Sequence, residues 1–366
     1  MLKLSISIPT WNRLPFLRKN IQVIIDAIAQ LPEGLAELFV TDNHSDDGTA
    51  DYLQSISEAY PFVRYHRHPK NLGANFNFYT ALSKAEGEYI WLLGDDDLIA
   101  PDSLVKIIQD IDQYKPAVMI GGTEHDQTKK RVNVPDVKEH LLTDKRLLSD
   151  YDALSLAAKM SVLIFSKEKL ATVLEPGWQL IEASKTPWPH IVWFLKLLAS
   201  NESLLILPYI TNYYIRANCF NSLQDGNLRM NLLFVDYANV IEMVQSDFSK
   251  KYQKALVSHI TVGRIDELMK GLAYSTFLNA YQETLQEAVQ ALKKIPSWVN
   301  KILFSCFYMI PALLPIKLRH FLFYLPTIFC KPGSAYHYFI EYLQTAKALK
   351  ASMEDNHRVF YNRVDL

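Results

Sequence analysis

Over the first 120 residues, short apolar runs alternate with segments whose apolar residues recur at helical spacing. Lys3 to Ile8 is a β-branched run that stops at Pro9. Leu14, Leu17, Ile21, Ile24, Ile28 and Leu31 then repeat every three or four residues, with Pro15 in the first helical turn. Leu38 to Val40 reads as a buried strand, Ala50 to Glu58 as a helix, and Val63 to Arg67 as a third strand. Asn75 to Ala85 is helical in pattern, and Tyr89 to Leu93 is a strongly apolar strand. A further helix opens near Pro101 and carries Leu104, Ile107, Ile108 and Ile111; Val118 to Ile120 closes the series. This alternation predicts a mainly parallel sheet covered on both faces by helices. In such sheets ligands bind beyond the carboxyl ends of the strands. Three polar clusters each follow a strand, and chain order therefore puts them on one rim: Thr10-Trp11-Asn12, Asp42 to Asp47, and Asp95-Asp96-Asp97.

Composition narrows the choice of function. Of 366 residues, 49% are hydrophobic and 21% charged, enough for a sizeable core and unlike a disordered chain. Lys and Arg (38) balance Asp and Glu (39), so no global charge argues for a nucleic-acid partner. Cys219, Cys306 and Cys330 are too scattered for a disulfide framework or a cysteine zinc site. The opening MLKLSISIPTWNR does not read as a signal peptide. Neither G-x-G-x-x-G nor the P-loop signature occurs, which argues against a dinucleotide dehydrogenase and a P-loop enzyme. A nucleophile elbow and H-E-x-x-H are also missing.

Three adjacent carboxylates repel one another, so Asp95-Asp96-Asp97 calls for compensation. A divalent cation with oxygen ligands is the natural partner; a solvated turn ahead of the Pro101 helix is the bland alternative. Asp42 to Thr49 reads as a turn with a helix cap. Asp46 and Asp47 suit the cap, and Asp42, first after the strand, suits a ligand. Asp47 stands where an EF-hand loop needs glycine, so a calcium loop is a poor fit. Asn71-Leu72-Gly73, preceded by Arg67, is a turn before a helix and weak when taken alone.

Taken together, Ser5-Ile6-Ser7-Ile8-Pro9-Thr10-Trp11-Asn12-Arg13, Val40 to Thr49, Asn71-Leu72-Gly73, and Gly87 to Asp97 with its Trp91-Leu92-Leu93-Gly94-Asp95-Asp96-Asp97 core resemble glycosyltransferase family 2 in order and spacing. The form of the last motif is most similar to the abequosyltransferase-type branch that builds bacterial surface polysaccharides. The resemblance covers roughly residues 1–125. It implies an α/β GT-A nucleotide-diphospho-sugar-binding fold, a nucleotide-sugar donor, a divalent metal (Mn2+ or Mg2+), and a glycan or lipid-linked oligosaccharide acceptor. It also implies roles: Pro9, Thr10 and Trp11 line the nucleoside, Asp42 bonds its base, and Arg67, Asn71 and Gly73 lie near the donor. Asp95 faces the ribose, and Asp96 and Asp97 serve the metal. Gly94 stands where many members carry the first acidic residue, so the metal-binding aspartate is open among the three.

The implied organisation is a donor half over 1–122, an acceptor half over 123–225, and a helical region over 226–366. Inverting members deprotonate the acceptor hydroxyl with a carboxylate of the acceptor half, and no clear acidic motif stands there. Glu175, Glu182 and His190 are available there, with Glu182 and His190 the expected pair. A histidine heading the apolar run Ile191 to Leu198 also suits plain packing. Trp178 and Trp188 suit either a sugar face or the core, and Arg216 and Asn218 either a phosphate or a turn. Residues 123–150 read as an excursion or short hairpin. A nucleotidyltransferase is a competing class, but Thr10-Trp11-Asn12-Arg13 lacks the glycines of its basic loop. A non-catalytic binding member is another.

From Ala288 to Ile340 the chain has six basic residues, Lys293, Lys294, Lys301, Lys317, Arg319 and Lys331, and none acidic. Its apolar runs are short and broken by Pro311, Pro315 and Pro326, so a spanning helix fits poorly. A segment lying in an anionic lipid interface and a buried helical subdomain fit equally. The lipid-linked acceptor implied by the resemblance favours the first, with residues 296–335 on the cytoplasmic face of an inner membrane.

Overall fold

Strand β1 (Leu4–Thr10) is buried along its whole length, as is β2 (Ala36–Asp42) beside it. Strands covered on both faces read as unbroken apolar runs. The polar residues inside β1 are satisfied: Ser5 Oγ donates to Glu37 Oε1 at 2.5 Å and Ser7 Oγ to the Ala81 carbonyl at 2.7 Å. This computed structural model describes residues 1–125, 131–132, 141–142, 157–200, 202–214, 235–261 and 290.

The remaining elements alternate as the periodicity predicts. They are α1 (Leu14–Ile28), α2 (Thr49–Ala59), β3 (Val63–Arg67), α3 (Ala74–Ser83), β4 (Tyr89–Leu92), β5 (Asp97–Ile99), α4 (Ser103–Tyr114) and β6 (Val118–His125). Strands β7 (Arg131–Val132) and β8 (Leu141–Leu142) follow, then β9 (Leu163–Ser166), α5 (Lys167–Ser184), α6 (Pro189–Ala199) and β10 (Leu204–Tyr214). One sheet runs β3-β2-β1-β4-β9-β6-β10-β5, with β7 on β6 and β8 on β10. Strands β1 to β4 are mutually parallel where they pair. Helix α1 buries Leu17, Ile21, Ile24 and Ile28 of the six residues its spacing picks out; Leu14 is half-buried and Leu31 lies beyond the helix. Helix α3 packs against β1 and β2 and also touches α5 and α6.

The register fixes the rim. Thr10 stands opposite Asp42, and Asp42 opposite Arg67, so the last residues of β1, β2 and β3 form one row. The halves drawn at residue 122 share this sheet. Val118 to Ile120 does not extend the parallel series beside β4. Instead β9 enters between β4 and β6, antiparallel to both. Three apolar residues and a serine, without alternation, carry no readable strand signal, so β9 escapes a sequence reading. The three-residue β5, paired antiparallel to β10, escapes for its shortness. Helix α5 holds Pro176 in its interior, which masks a helix that Ser166 starts by accepting from the Lys169 N–H.

The chain divides into units at Met1–Ala217 and Asn218–Leu366. In the second, α7 (Asp236–Val244) and α8 (Lys250–Thr261) touch each other, in keeping with a helical region. Apart from residue 290, the basic tail lies outside the described residues, as do Arg216, Asn218 and most of 123–150. Among the described residues no helix is long and apolar enough to cross a membrane.

Candidate functional site

The loops after β1, β2 and β3 are tied together by side chains at the carboxyl edge. Asn12 sits in the left-handed region (φ 52°), which asparagine tolerates better than most residues. Its N–H donates to Ser45 Oγ at 2.9 Å, and its Oδ1 accepts the Asp46 N–H at 2.9 Å. Asp47 caps two helices: Oδ2 accepts the Leu14 N–H at 2.9 Å, and Oδ1 accepts the Thr49 N–H and hydroxyl at 3.2 and 2.6 Å. Of the two residues expected to cap, Asp47 does so with its side chain, while Asp46 contributes its backbone.

Asp42 is wholly buried. Its Oδ1 accepts the Ser45 N–H at 3.0 Å and the Ser45 hydroxyl at 2.5 Å. Its Oδ2 lies 3.3 Å from Arg67 Nε but has no hydrogen bond, so acceptor capacity is left over at the rim. Arg67 Nη2 donates to the Ser45 carbonyl at 2.9 Å. Asn71 Oδ1 accepts from Asn43 Nδ2 at 2.7 Å and from the Gly73 N–H at 2.8 Å, while Asn43 Oδ1 accepts the Leu72 N–H. Gly73 has φ 85°, where a side chain would be strained. Asn77 of α3 donates to the carbonyls of Thr10 (3.2 Å) and Thr41 (3.0 Å), locking β1 to β2 just below. Pro9 is buried in β1, and Trp11 is half-buried beyond it.

At the triad, compensation comes first from a side chain. Arg13 Nε lies 2.8 Å from Asp95 Oδ1, and Arg13 Nη2 pairs with Asp96 Oδ2. Thr10 Oγ1 donates to Asp95 Oδ2 at 2.8 Å. Asp97 is engaged from the far half of the sheet: Ser161 Oγ donates to its Oδ2 at 2.5 Å and accepts the Gly94 N–H at 2.9 Å. Asn20 Nδ2 holds the Gly94 carbonyl at 2.9 Å. Burial pushes the carboxyls of Asp95 and Asp97 up to about 6, against the opposing pull of Arg13 on Asp95 and of Ser161 on Asp97.

These residues fit a hard divalent cation. Asp96 and Asp97 each keep Oδ1 without a hydrogen bond among the described residues. Carboxylate oxygens are the donors that Mn2+ and Mg2+ take, usually one or two carboxylates with phosphate and water completing the shell. Among the described residues no group of three or more His, Cys, Asp or Glu side chains is arranged to hold a metal.

On the acceptor side, His190 is buried at the start of α6. Its Nε2 lies 3.3 Å from the Ala158 carbonyl, and Nδ1 has no partner. A carbonyl only accepts, so Nε2 carries the proton and Nδ1 keeps a lone pair. Burial pushes the ring down to about 4, so it is neutral near pH 7. Phe78 stacks on it at 6.4 Å and Trp188 meets it edge-on at 5.9 Å. Glu182 is exposed on α5, and Glu175 accepts from the Tyr79 hydroxyl at 2.9 Å. Trp178 packs on Phe76 and Tyr79 at 5.4 and 5.0 Å. Arg13, Asn20, Asn77 and Ser161 escape the sequence reading as site residues. Arg13 stands inside the first motif, so it could have been found there; Ser161, 64 residues from Asp97, leaves no sequence signal.

The Glycosyl transferase family 2 model matches residues 5–166. The chain is 25% identical over 258 residues to abequosyltransferase RfbV of Salmonella typhimurium, covering 68% of this chain and 76% of that protein. Its fold is similar to that of Staphylococcus aureus TarS 1–349 in complex with UDP-GlcNAc (TM-score 0.59, 15% identity, 98% of this chain and 93% of that one). It is also similar to the mannosyltransferase PcManGT from Pyrobaculum calidifontis in complex with GDP-Man and Mn2+ (TM-score 0.51, 14% identity, 97% and 88%).

Proposed function

We propose that this chain, a glycosyltransferase with a family 2 domain over residues 5–166, moves a sugar with inversion from a nucleotide-sugar donor to a glycan or lipid-linked glycan of a bacterial surface polysaccharide. The observation that carries the reading is the row Thr10–Asp42–Arg67 ending beside the triad, with Asp42 Oδ2 buried and without a hydrogen bond. Arg67 Nε faces that oxygen at 3.3 Å, and its remaining acceptor capacity is open to a ligand donor. A nucleoside base offers such a donor. Pro9, Thr10 and Trp11 line the nucleoside, Arg67, Asn71 and Gly73 border the donor, and Asp95 faces the ribose from its bonds to Thr10 and Arg13.

Asp96 and Asp97 would hold Mn2+ or Mg2+. When bound, such an ion neutralises charge on the leaving diphosphate. The acceptor hydroxyl needs a proton acceptor, and His190 meets the charge requirement, being neutral with Nδ1 unshared and Nε2 fixed on Ala158. Glu182, exposed and ionisable, is the alternative base. The basic tail, residues 296–335, would hold the protein on the cytoplasmic face of an inner membrane through lysines and aromatic rings.

The test is product formation from a panel of nucleotide sugars, together with calorimetry of nucleoside diphosphates with and without Mn2+. Metal-dependent binding and sugar transfer support the reading. Binding without transfer would make the chain a non-catalytic member, and nucleotidyl transfer to a sugar phosphate would make it a nucleotidyltransferase. For the tail, co-sedimentation with anionic against neutral vesicles decides. Full-length protein that stays in the supernatant at low salt would reject membrane binding.

A further inference from the structure

Arg13 holds two carboxylates of the triad at once, Asp95 through Nε at 2.8 Å and Asp96 through Nη2. The three aspartates are not equally committed. Asp95 is buried and would keep the Thr10 hydroxyl if Arg13 left. Asp97 has Ser161. Asp96 is partly exposed, and Arg13 is its side-chain partner among the described residues. The Arg13 side chain is itself 29% exposed, and its guanidinium lies 4.9 Å from the Phe16 ring centroid.

A divalent cation drawing on Asp96 would therefore meet a positive charge already seated there. Two cations on one carboxylate repel strongly in a half-buried site. We propose that Arg13 and the divalent cation compete for Asp96, and that the displaced guanidinium turns to the donor's diphosphate. The planar fork of arginine suits two phosphate oxygens as well as it suits two carboxylates. Arg13 would thus keep the triad neutralised in the empty protein and become a donor ligand in the loaded one. It would make metal and nucleotide binding cooperative, because the diphosphate offers the guanidinium a new partner as the metal takes the old one. This rests on the reading of Asp96 and Asp97 as metal ligands.

The competition predicts effects of opposite sign from one substitution. Mn2+ binding to the full-length chain would be followed by the electron paramagnetic resonance signal of free Mn2+, without nucleotide, in wild type, Arg13→Gln and Arg13→Lys. Calorimetry would then measure uridine, cytidine and guanosine diphosphates in saturating Mn2+. Arg13→Gln is expected to bind Mn2+ alone at least fivefold more tightly and its preferred nucleoside diphosphate at least fivefold more weakly. Arg13→Lys, a point charge that cannot bridge both carboxylates, is expected between wild type and Arg13→Gln in both measurements. A merely structural arginine would not tighten metal binding when removed. If Arg13→Gln does not fold, Arg13→Lys decides, and wild-type values in both measurements overturn the proposal. Equal Mn2+ affinities across the three proteins overturn the competition and leave the metal reading intact. Tighter Mn2+ with unchanged nucleotide affinity overturns the transfer to phosphate. Mn2+ bound by none of the three, with or without nucleotide, removes the metal reading and this proposal with it.

Discussion

Ser161 donates its hydroxyl to Asp97 Oδ2 at 2.5 Å while accepting the Gly94 N–H at 2.9 Å. A residue just ahead of the antiparallel strand β9 thus orients both ends of a turn that leaves the parallel strand β4. The carbonyl of the same serine accepts from Trp91 Nε1 at 2.8 Å, so the contact is anchored in the core.

Replacing Ser161 with alanine should leave Asp97 and the Gly94 amide each short of a partner. The expected cost is about 1–3 kcal/mol of stability, the scale for a buried polar group left unmade. Metal-dependent nucleotide binding should weaken too, since Asp97 is no longer held. Thermal melting and a Mn2+ titration on the same samples check both. Wild-type Mn2+ affinity alongside lowered stability would confine Ser161 to a structural role.

Asp42→Asn preserves the acceptor Oδ1 that holds Ser45, changes the oxygen that has no hydrogen bond, and removes the charge that faces Arg67 Nε at 3.3 Å. Nucleoside diphosphate binding should fall by about 1–3 kcal/mol, the range for a hydrogen bond to a charged group. Melting should fall as well, because the buried carboxylate loses its ion pair with Arg67. Unchanged affinity with a lowered melting temperature would mean that Asp42 only builds the loop.

Asp96→Asn should remove most of the gain in nucleotide affinity that Mn2+ produces, and a chelator should do the same to the wild type. Calorimetry in four arms, each protein with Mn2+ and with chelator, reads this out. Wild-type protein indifferent to chelator would reject a metal role for the triad.

The pH dependence of stability isolates His190. Its folded pKa is pushed down to about 4 from an ordinary 6.5. Between those values the unfolded chain takes up a proton that the folded chain refuses, so this group costs stability as the pH falls through that window. Across the whole window the effect is at most about 3 kcal/mol, at 1.36 kcal/mol per pKa unit. Asp95 and Asp97, raised to about 6, bind more protons folded than unfolded below that pH and give the opposite slope. The difference between wild type and His190→Gln cancels them. Urea melts from pH 7 to pH 4.5 should show the variant losing less stability than wild type. Parallel slopes would mean that His190 titrates as if exposed.

From β1 to α4, apart from the three-residue β5, the periodicity was legible because each element repeats over several residues. The three rim clusters were legible because a parallel strand brings the polar residues at its end to a shared edge. Arg13 was visible but unassigned, since nothing in PTWNR says which carboxylate its guanidinium will reach. Strand β9 was not legible. Its four residues LIFS fit a buried strand or a piece of buried helix equally well.

The sequence alone determined the parallel donor half, the rim, and the residues standing on it, because local hydrophobic period and turn chemistry act over a few residues at a time. Only the tertiary structure decided what those residues bond to. Arg13 reaches Asp96 from 83 residues away and its neighbour Asp95 beside it, and Ser161 reaches Asp97 across 64. It also decided that His190 is neutral, since burial outweighs the upward pull of the Ala158 carbonyl 32 residues upstream. Charge pairing and desolvation depend on distance in space, and the order of residues along a chain does not carry that distance until the sheet has closed.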